Sequence, residues 1–262
     1  MTDRDKEEQE FLKKRLRELA GESAGSFSYR FSGFLSPAEA SVGYAAAAEV
    51  FGRGGGNDAR GVIDFGGADG CERVMLRFGL PGEIGYDVPF PIRIIHAAVP
   101  EKFTDTLTHR DYLGALMNLG IKRETTGDIW IRDNAAWIFA DETMAGYIAE
   151  NLTRVKHTAV RCSLCDTVPP EALPKKESVQ LIVPSVRLDA VLAKLLHLSR
   201  GKAKALFAQK KVFVDGKLCE NDSLGLKEGN IISVRGSGKF IYRGLSGQTK
   251  KGSLVISLER YI

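Results

Sequence analysis

Apolar residues first recur with helical spacing at Phe11, Leu12, Leu16 and Leu19, set among alternating charges over residues 3–20. Ser36-Pro37-Ala38-Glu39 reads as a helix start: a Ser N-cap, Pro at the first helical position and Glu three residues on. That helix is expected to run to about Phe51, and Gly52 to Gly56 to form a loop. Val62-Ile63-Asp64-Phe65 and the stretch from Arg73 to Phe78 read as strands around the glycine-rich turn at 66–70. Together these predict a first α/β domain over residues 1–84.

The pattern then repeats with different elements. Ile92 to Ala97 alternates like a strand, and Thr108 with Asp111 opens a helix carrying Tyr112, Leu113, Leu116, Met117 and Leu119, closed by Gly120. Residues 128–131 and 136–140 look like paired strands joined at Asp133-Asn134. A helix over 142–152 and a strand from Arg154 to Arg161 follow. The order β-α-β-β-α-β predicts a ferredoxin-like, RNA-recognition-like middle domain over 85–166. Pro169, Pro170, Pro174 and Pro184 mark 167–184 as connector, with room for a short strand from Val179 to Val183.

From Ser185 the helices shorten. Arg187 to Leu196 puts Leu188, Val191, Leu192, Leu195 and Leu196 on one face. Ser199 caps a second helix, Arg200 to Gln209, with Ala203, Leu206 and Phe207 inward and Arg200, Lys202 and Lys204 turned away. Val212-Phe213-Val214 and Lys217-Leu218-Cys219 flank Asp215-Gly216, a strong two-residue hairpin signal. Glu228-Gly229-Asn230 turns into the strand Ile231 to Val234. The fold class is therefore α+β and multidomain, ending in a small helix-hairpin domain with a C-terminal β extension over 185–262.

Charge sharpens this picture. The chain of 262 residues has a formal net charge of +4, but Lys175 to Ile262 carries 17 Lys and Arg against 7 Asp and Glu, a net +10. The preceding residues carry 20 basic and 26 acidic groups, a net −6. Basic charge gathered in one segment is the footprint of a polyanion-binding domain. No apolar run reaches the roughly 18 residues of a membrane span, and the charged segment Met1 to Arg17 does not resemble a signal peptide. Four cysteines, Cys71, Cys162, Cys165 and Cys219, are too few for a disulfide framework. A cytoplasmic protein is expected, monomeric and without a membrane partner.

Arg-Leu-Asp-x-x-Leu from Arg187, Ser-Arg-x-x-Ala from Ser199, Val-x-Val-Asp-Gly from Val212 and Glu-Gly-Asn-x-Ile from Glu228 resemble, in order, the αL-motif RNA-binding domain first described in a ribosomal small-subunit protein. That family often has Gly before the Val-x-Val strand, where this chain has Lys210-Lys211. Two short helices and a hairpin that expose cations beside a helix N-terminus suit phosphates. The candidate RNA contacts are Arg187, Ser199, Arg200, Lys202, Lys204, Lys210, Lys211, Arg235 and Lys239. Asp189 is expected to pair locally with Arg187 or Arg200. Phosphate contacts give affinity but little sequence choice, so RNA shape is the expected target.

The stretch Phe65-Gly66-Gly67-Ala68-Asp69-Gly70-Cys71-Glu72-Arg73, the segment Leu107 to Met117, the run Leu119 to Arg123 with Gly127-Asp128-Ile129, and Ile231 to Phe240 are similar to the bacterial YlmH family. That resemblance implies three domains: N-terminal α/β, RNA-recognition-like, and C-terminal αL. It implies binding of structured rRNA and tRNA on the large ribosomal subunit, in ribosome-associated quality control of stalled peptidyl-tRNA, with a further link to cell division. Neither catalysis nor a cofactor is implied. The competing functions are an RNA-modifying enzyme, of pseudouridine synthase or methyltransferase type, that docks through its αL domain, and a cell-division-linked scaffold.

Other motifs carry less. Asp64-Phe65-Gly66 and His109-Arg110-Asp111 suggest a kinase, but their order is reversed and the expected Asn falls at Leu116. The second reads as a helix start, with Arg110, Lys122 and Arg123 as possible secondary RNA contacts. Gly54-Gly55-Gly56 lacks the Lys-Ser or Lys-Thr of a phosphate loop. Cys162 and Cys165 with His157 supply three ligands where structural zinc wants four, so no metal is expected.

Overall fold

The computed structural model describes residues 3–52, 60–100, 106–133, 135–250 and 252–261. Residues 53–56 of the loop expected over Gly52 to Gly56, and Asn134 of the expected 133–134 turn, lie outside them. The chain divides into two compact units, Met1–Leu173 and Pro174–Ile262. The first two expected domains thus form one packed body.

In that body α1 (Asp3–Ser26) and α2 (Pro37–Phe51) pack on the sheet of β1 (Arg30–Phe31), β2 (Val62–Phe65) and β3 (Met75–Phe78), followed by the one-turn α3 (Pro81–Ile84). Ser36 caps α2 as expected: its N–H donates to Glu39 Oε2 at 2.6 Å and its hydroxyl accepts from Glu39 N–H at 3.4 Å. Leu16 and Ala20 of α1 meet Ala46 and Ala47 of α2 and Leu76 and Phe78 of β3 in one core. The strand order is β1-β3-β2 and both pairings are antiparallel. The expected strand from Arg73 begins only at Met75, where the pairing with Phe65 ends, and the backbone N–H groups of Glu72 and Arg73 bond to the Asp128 carboxylate instead of a strand.

The second half of the body holds β4 (Ile92–Ala98), α4 (His109–Asn118), β5 (Thr126–Arg132), β6 (Ala135–Asp141), α5 (Glu142–Asn151), β7 (Arg154–Val155), β8 (Thr158–Ala159) and β9 (Arg161–Cys165). Its sheet runs β5-β6-β4-β9, all antiparallel. Tyr112 and Leu116 of α4 and Ala145 and Ile148 of α5 bury one face, over Ile95, Ala97, Ile138 and Ala140. The single strand expected over 154–161 is instead a tight β7–β8 hairpin, with Lys156 at φ 52°, and the paired strand starts at Arg161.

The other face of this sheet is not open. Phe34 and Met75 from the first half and Ala172 from the one-turn helix Pro170–Ala172 pack on Ile94, Trp137 and Phe139. Trp137 is 8% exposed and Phe139 fully buried. Glycines let the layers meet: a Cβ on Gly67 (φ 104°) would lie 2.5 Å from Phe139, and one on Gly127 2.6 Å from Phe34. Polar groups lock the joint. Arg73 donates to the carbonyls of Phe34 at 2.7 Å and of Arg123 and Thr126 at 3.1 Å. Asp128 accepts the N–H groups of Glu72 at 2.6 Å and Arg73 at 3.2 Å. Burial, with Arg123 adding repulsion, pulls the Arg73 guanidinium down to about 10.

The second unit is a six-stranded antiparallel sheet with two helices on one face. Its elements are β10 (Lys176–Val183), α6 (Leu188–Leu195), α7 (Arg200–Ala208), β11 (Val212–Val214), β12 (Lys217–Leu218), β13 (Ile231–Val234), β14 (Gly238–Gln248) and β15 (Leu254–Tyr261), in sheet order β10-β15-β14-β13-β11-β12. The expected connector is therefore an eight-residue edge strand for nearly half its length. β10 pairs with β15 from Lys176↔Tyr261 to Val183↔Leu254, and its alternation puts Val183 and Leu181 on the core. Leu188, Val191 and Leu192 of α6 and Ala203 and Phe207 of α7 close that core over Val212, Ile232, Phe240, Ile256 and Leu258.

Asp128→Ala removes two hydrogen bonds from a carboxylate to backbone N–H groups at the joint. We expect a loss of roughly 2 kcal/mol from the unfolding free energy of the first unit, measured by urea denaturation. A loss under about 0.5 kcal/mol, the range of an ordinary surface substitution, would mean the joint is held elsewhere.

Candidate RNA interface

The landmarks of the C-terminal unit are built around two polar centres, one part-buried and one fully buried. Asp215 and Gly216 both take positive φ, 49° and 74°, as a two-residue hairpin between antiparallel strands requires. The Asp215 carboxylate then accepts Ile231 N–H at 2.8 Å and the Asn230 amide at 2.7 Å, while Asn230 Oδ1 accepts Lys227 N–H at 2.7 Å. The Asp-Gly and Gly-Asn motifs are two halves of one lock between turns.

The other centre is Asp189 on the first turn of α6. Its side chain has no solvent exposure, whereas those of Arg187 and Arg200 are 42% and 60% exposed. Arg187 reaches the carboxylate at 3.2 and 3.3 Å and Arg200 at 3.6 Å. Arg187 Nη2 also donates to Ser223 Oγ at 2.7 Å. A buried carboxylate is tolerable only when paired. Here the pairing fixes one side of each guanidinium and leaves the rest in solvent, so Asp189 joins the N-cap residue of α6 to the first residue of α7. One turn further, Lys204 pairs with Asp222 at 3.1 Å. The Ser223 hydroxyl and then Lys204 hold the Asp222 carboxyl below its usual range.

Around this centre the structure gathers four of the nine candidate contacts, Arg187, Ser199, Arg200 and Lys204, with exposed Lys202 beside them. Ser199 accepts Lys202 N–H at 3.3 Å as N-cap of α7. Beside Arg200 an open cavity of about 440 Å³ is floored by Ala190, Ala193 and Leu198 and rimmed by Lys194, His197 and Arg200.

Lys210 and Lys211 lie at the far end of α7, and the departure from the usual glycine is accommodated without loss of the turn. Lys210 takes φ 53°, and the N–H groups of Lys210 and Lys211 bond to the carbonyls of Phe207 at 2.9 Å and Leu206 at 3.0 Å. This is a Schellman cap, with lysine in the left-handed position that glycine usually fills. Arg235 N–H donates to Lys211 O at 2.9 Å, but the Arg235 side chain stacks over Phe213 at 4.7 Å. Lys239 lies over Tyr261 at 4.6 Å. Phe213, Ser233 and Lys239 are register partners whose strand neighbours Val212, Val214, Ile232 and Phe240 fill the core beneath the helices. Arg235 and Lys239 therefore occupy the helix-free face of the sheet, opposite Arg200 and Lys204. Sequence spacing could not separate these two sides.

The secondary set in the first unit also divides. Arg123 donates from Nη1 to the carbonyls of Thr126 at 2.9 Å and Gly127 at 3.0 Å, so its guanidinium supports the joint rather than a ligand. Lys122 is exposed beside it. Arg110 instead lines a polar groove of about 500 Å³ with Asn118, Asn151, Arg154 and Lys156. Arg154 and Lys156 were missed, and their position flanking a turn with alternating charge is the signal that could have found them. In the same groove Asp111 closes the α4 cap, accepting Thr108 N–H at 2.8 Å, and pairs with Lys156 at 2.9 Å. Lys156, with Thr108, holds the Asp111 carboxyl at about 2.

The remaining motifs take structural parts. Asp64 accepts the Tyr44 hydroxyl at 2.6 Å. Cys162 and Cys165 are three apart on β9, so they point to opposite faces of the sheet. Cys162 packs with the core under the helices and Cys165 with the joint, and burial raises both thiols, Cys162 to about 11. They cannot converge on one metal ion.

Comparison with known proteins gives this geometry a context. Residues 87–168 match the family described as "Putative RNA-binding domain in YlmH", and residues 186–232 match the S4 domain. The chain is 31% identical over 175 residues to "Ribosome-associated protein quality control protein P2" of Bacillus subtilis (strain 168), a match covering 65% of this chain and 66% of that protein. The chain belongs to the YlmH family of RNA-binding proteins. The S4 match begins beside Arg187 and ends at Ile232, so it contains Asp189, α7 and the Asp215 lock, while β10, β14 and β15 lie outside it. Among solved structures the chain is similar to "Cell division protein ylmH from Streptococcus pneumoniae", at 18% identity and a TM-score of 0.46, over 63% of this chain and 93% of that one.

The left-handed lysine carries a stability consequence. Lys210→Gly relieves a conformation that costs an ordinary residue roughly 1 kcal/mol. We expect urea denaturation to show the second unit stabilised by about that amount. A destabilised variant would show that the lysine stem supplies packing that outweighs the backbone cost.

Proposed function

We propose that the protein is a non-catalytic RNA-binding factor that works on the ribosome, docking structured rRNA or tRNA of the large subunit on the α6–α7 face of its S4 domain. The observation that carries the reading is Asp189: a fully buried carboxylate whose two arginine partners stay half open to solvent. A fold-stabilising ion pair has no need to leave its cations exposed, whereas a phosphate site needs cations held in place yet accessible. Ser199, Lys202 and Lys204 extend the row along α7, and Lys210 and Lys211 lie about one helix length, or roughly 13 Å, further on. That reach is of the order of two phosphate spacings along one strand and suits recognition by shape.

The relative in Bacillus subtilis is named for ribosome-associated quality control, and we assign the same kind of work to this chain, on large subunits carrying stalled peptidyl-tRNA. We read its middle sheet as ferredoxin-like, on the strand order β5-β6-β4-β9 with both helices on one face. In an RNA-recognition domain the helix-free face of such a sheet stacks bases on aromatic side chains. Here Phe34, Met75 and Ala172 cover that face over Trp137 and Phe139, so we place any RNA contact of this part in the groove of Arg110, Arg154 and Lys156. We take the working form to be a monomer.

The test is cosedimentation of the full chain with purified large subunits over a salt series. Wild-type binding should fall steeply with salt, as counterion release requires. Arg200→Glu with Lys204→Glu should weaken binding by roughly 100-fold at low salt and flatten the salt slope by about 2; because Arg200 pairs with the buried Asp189, the comparison is made at a temperature where the melting curve shows the variant folded. Binding unaffected by this pair would exclude the α7 face. A modified nucleotide appearing in the subunit RNA would instead favour an enzyme.

A further inference from the structure

The C-terminal unit has a second cationic surface that the S4 match does not account for. On the sheet face away from α6 and α7, Arg235 lies over Phe213 at 4.7 Å, and Lys239 and Lys176 lie over Tyr261 at 4.6 and 5.3 Å. The pairs are aligned by register: Phe213↔Ser233 and Ser233↔Lys239 run across β11, β13 and β14, and Lys176↔Tyr261 joins β10 to β15. Glu259, the acid on this face of β15, is engaged by Arg243 at 2.8 Å, with Lys176 more distant at 3.9 Å. Exposed Ile182, on the same side of β10 as Lys176, adds apolar area toward the other end of the sheet.

We propose that this face is a second RNA site, which stacks unpaired nucleotides while the α7 face holds a structured element. The proposal rests on the α7 reading for its premise that the unit works on RNA. Three cations set over two rings make a row that is both positive and planar, the combination that single strands bind through phosphate attraction and stacking. A guanidinium resting on Phe213 keeps its outer face for a base, and guanidinium planes stack on bases as aromatic rings do. Placing these cations over rings also lowers the ordering cost of binding. Duplex RNA is a poorer fit, because a row of ring-bound cations offers stacking surface that paired bases cannot reach. An acidic protein would match the charge but leave the planar geometry unused. The sheet's two sides would let one domain hold a helix and an adjoining single strand together.

The experiment uses the full chain, with a short labelled oligouridine and a labelled RNA hairpin as separate anisotropy probes. With the hairpin unlabelled and saturating, oligouridine should still bind. The triple variant Lys176→Gln, Arg235→Gln, Lys239→Gln should weaken oligouridine by roughly tenfold and leave hairpin affinity within about twofold. Arg235→Lys, which keeps the charge but loses the plane, should weaken oligouridine by about threefold. Displacement of oligouridine by the hairpin, or unchanged oligouridine binding by the triple variant, would overturn the second site. Full hairpin affinity in Arg200→Glu with Lys204→Glu would instead overturn the α7 reading, while the oligouridine titrations still decide the sheet face.

Discussion

A carboxylate with no solvent exposure cannot stand alone, and the arrangement of the C-terminal unit's helices follows from how Asp189 is satisfied. Arg187 precedes α6 and Arg200 opens α7, so both helix starts must converge on one point. The backbone reinforces it, with Asp189 N–H donating to Asp222 O at 2.9 Å and Leu188 N–H to Leu224 O at 2.9 Å. A hydrophobic pair could join two helices more cheaply, since buried ion pairs seldom gain stability over well-packed apolar groups. What the ionic solution supplies is a set of cations with restricted rotamers and exposed edges. The same residues therefore explain the helix packing and the proposed phosphate site.

In the first unit a comparable constraint produces the opposite result. Arg73 and Asp128 also bring polar groups into a partly buried joint, but their partners are backbone groups: three carbonyls for Arg73 and two N–H groups for Asp128. These interactions weld the two halves and turn the Arg73 guanidinium toward backbone carbonyls rather than solvent. The face of the middle sheet that would otherwise show Trp137 and Phe139 becomes interior. Family resemblance at Phe65 to Arg73 and at Gly127 to Ile129 thus marks an internal seam, with Gly67 and Gly127 there because side chains would collide with Phe139 and Phe34.

Much of this was legible in the chain. The Ser36 and Thr108 helix starts, the Asp215-Gly216 hairpin and the apolar faces of α6 and α7 are local, and local pattern suffices for them. The pairing of Asp189 with its neighbours was readable as well, because Arg187 is two residues away. The failures were non-local. β10 was shortened to Val179–Val183 because its polar first half gains strand character only by pairing with β15, some eighty residues on in sequence. Arg123 looked like a surface cation because its carbonyl partners do not show in a string of letters. Motif and charge together group Arg235 and Lys239 with α7, whereas a one-residue step in strand register decides which face of the sheet they occupy. Lys176 went unnoticed because it lay in the supposed connector.

The central claim is that Asp189 organises Arg187 and Arg200 for RNA, beyond holding the fold. A double-mutant cycle on RNA affinity, with Asp189→Asn, Arg200→Gln and the double variant measured in the full chain at a temperature where all are folded, tests it most directly. The account predicts that each single change weakens binding and that Asp189→Asn costs less in the Arg200→Gln background than in the wild type, because only its hold on Arg187 is then left to lose, a coupling of about 1 kcal/mol. Additive losses, or an Asp189→Asn protein that binds RNA more tightly because a negative charge is gone, would contradict it.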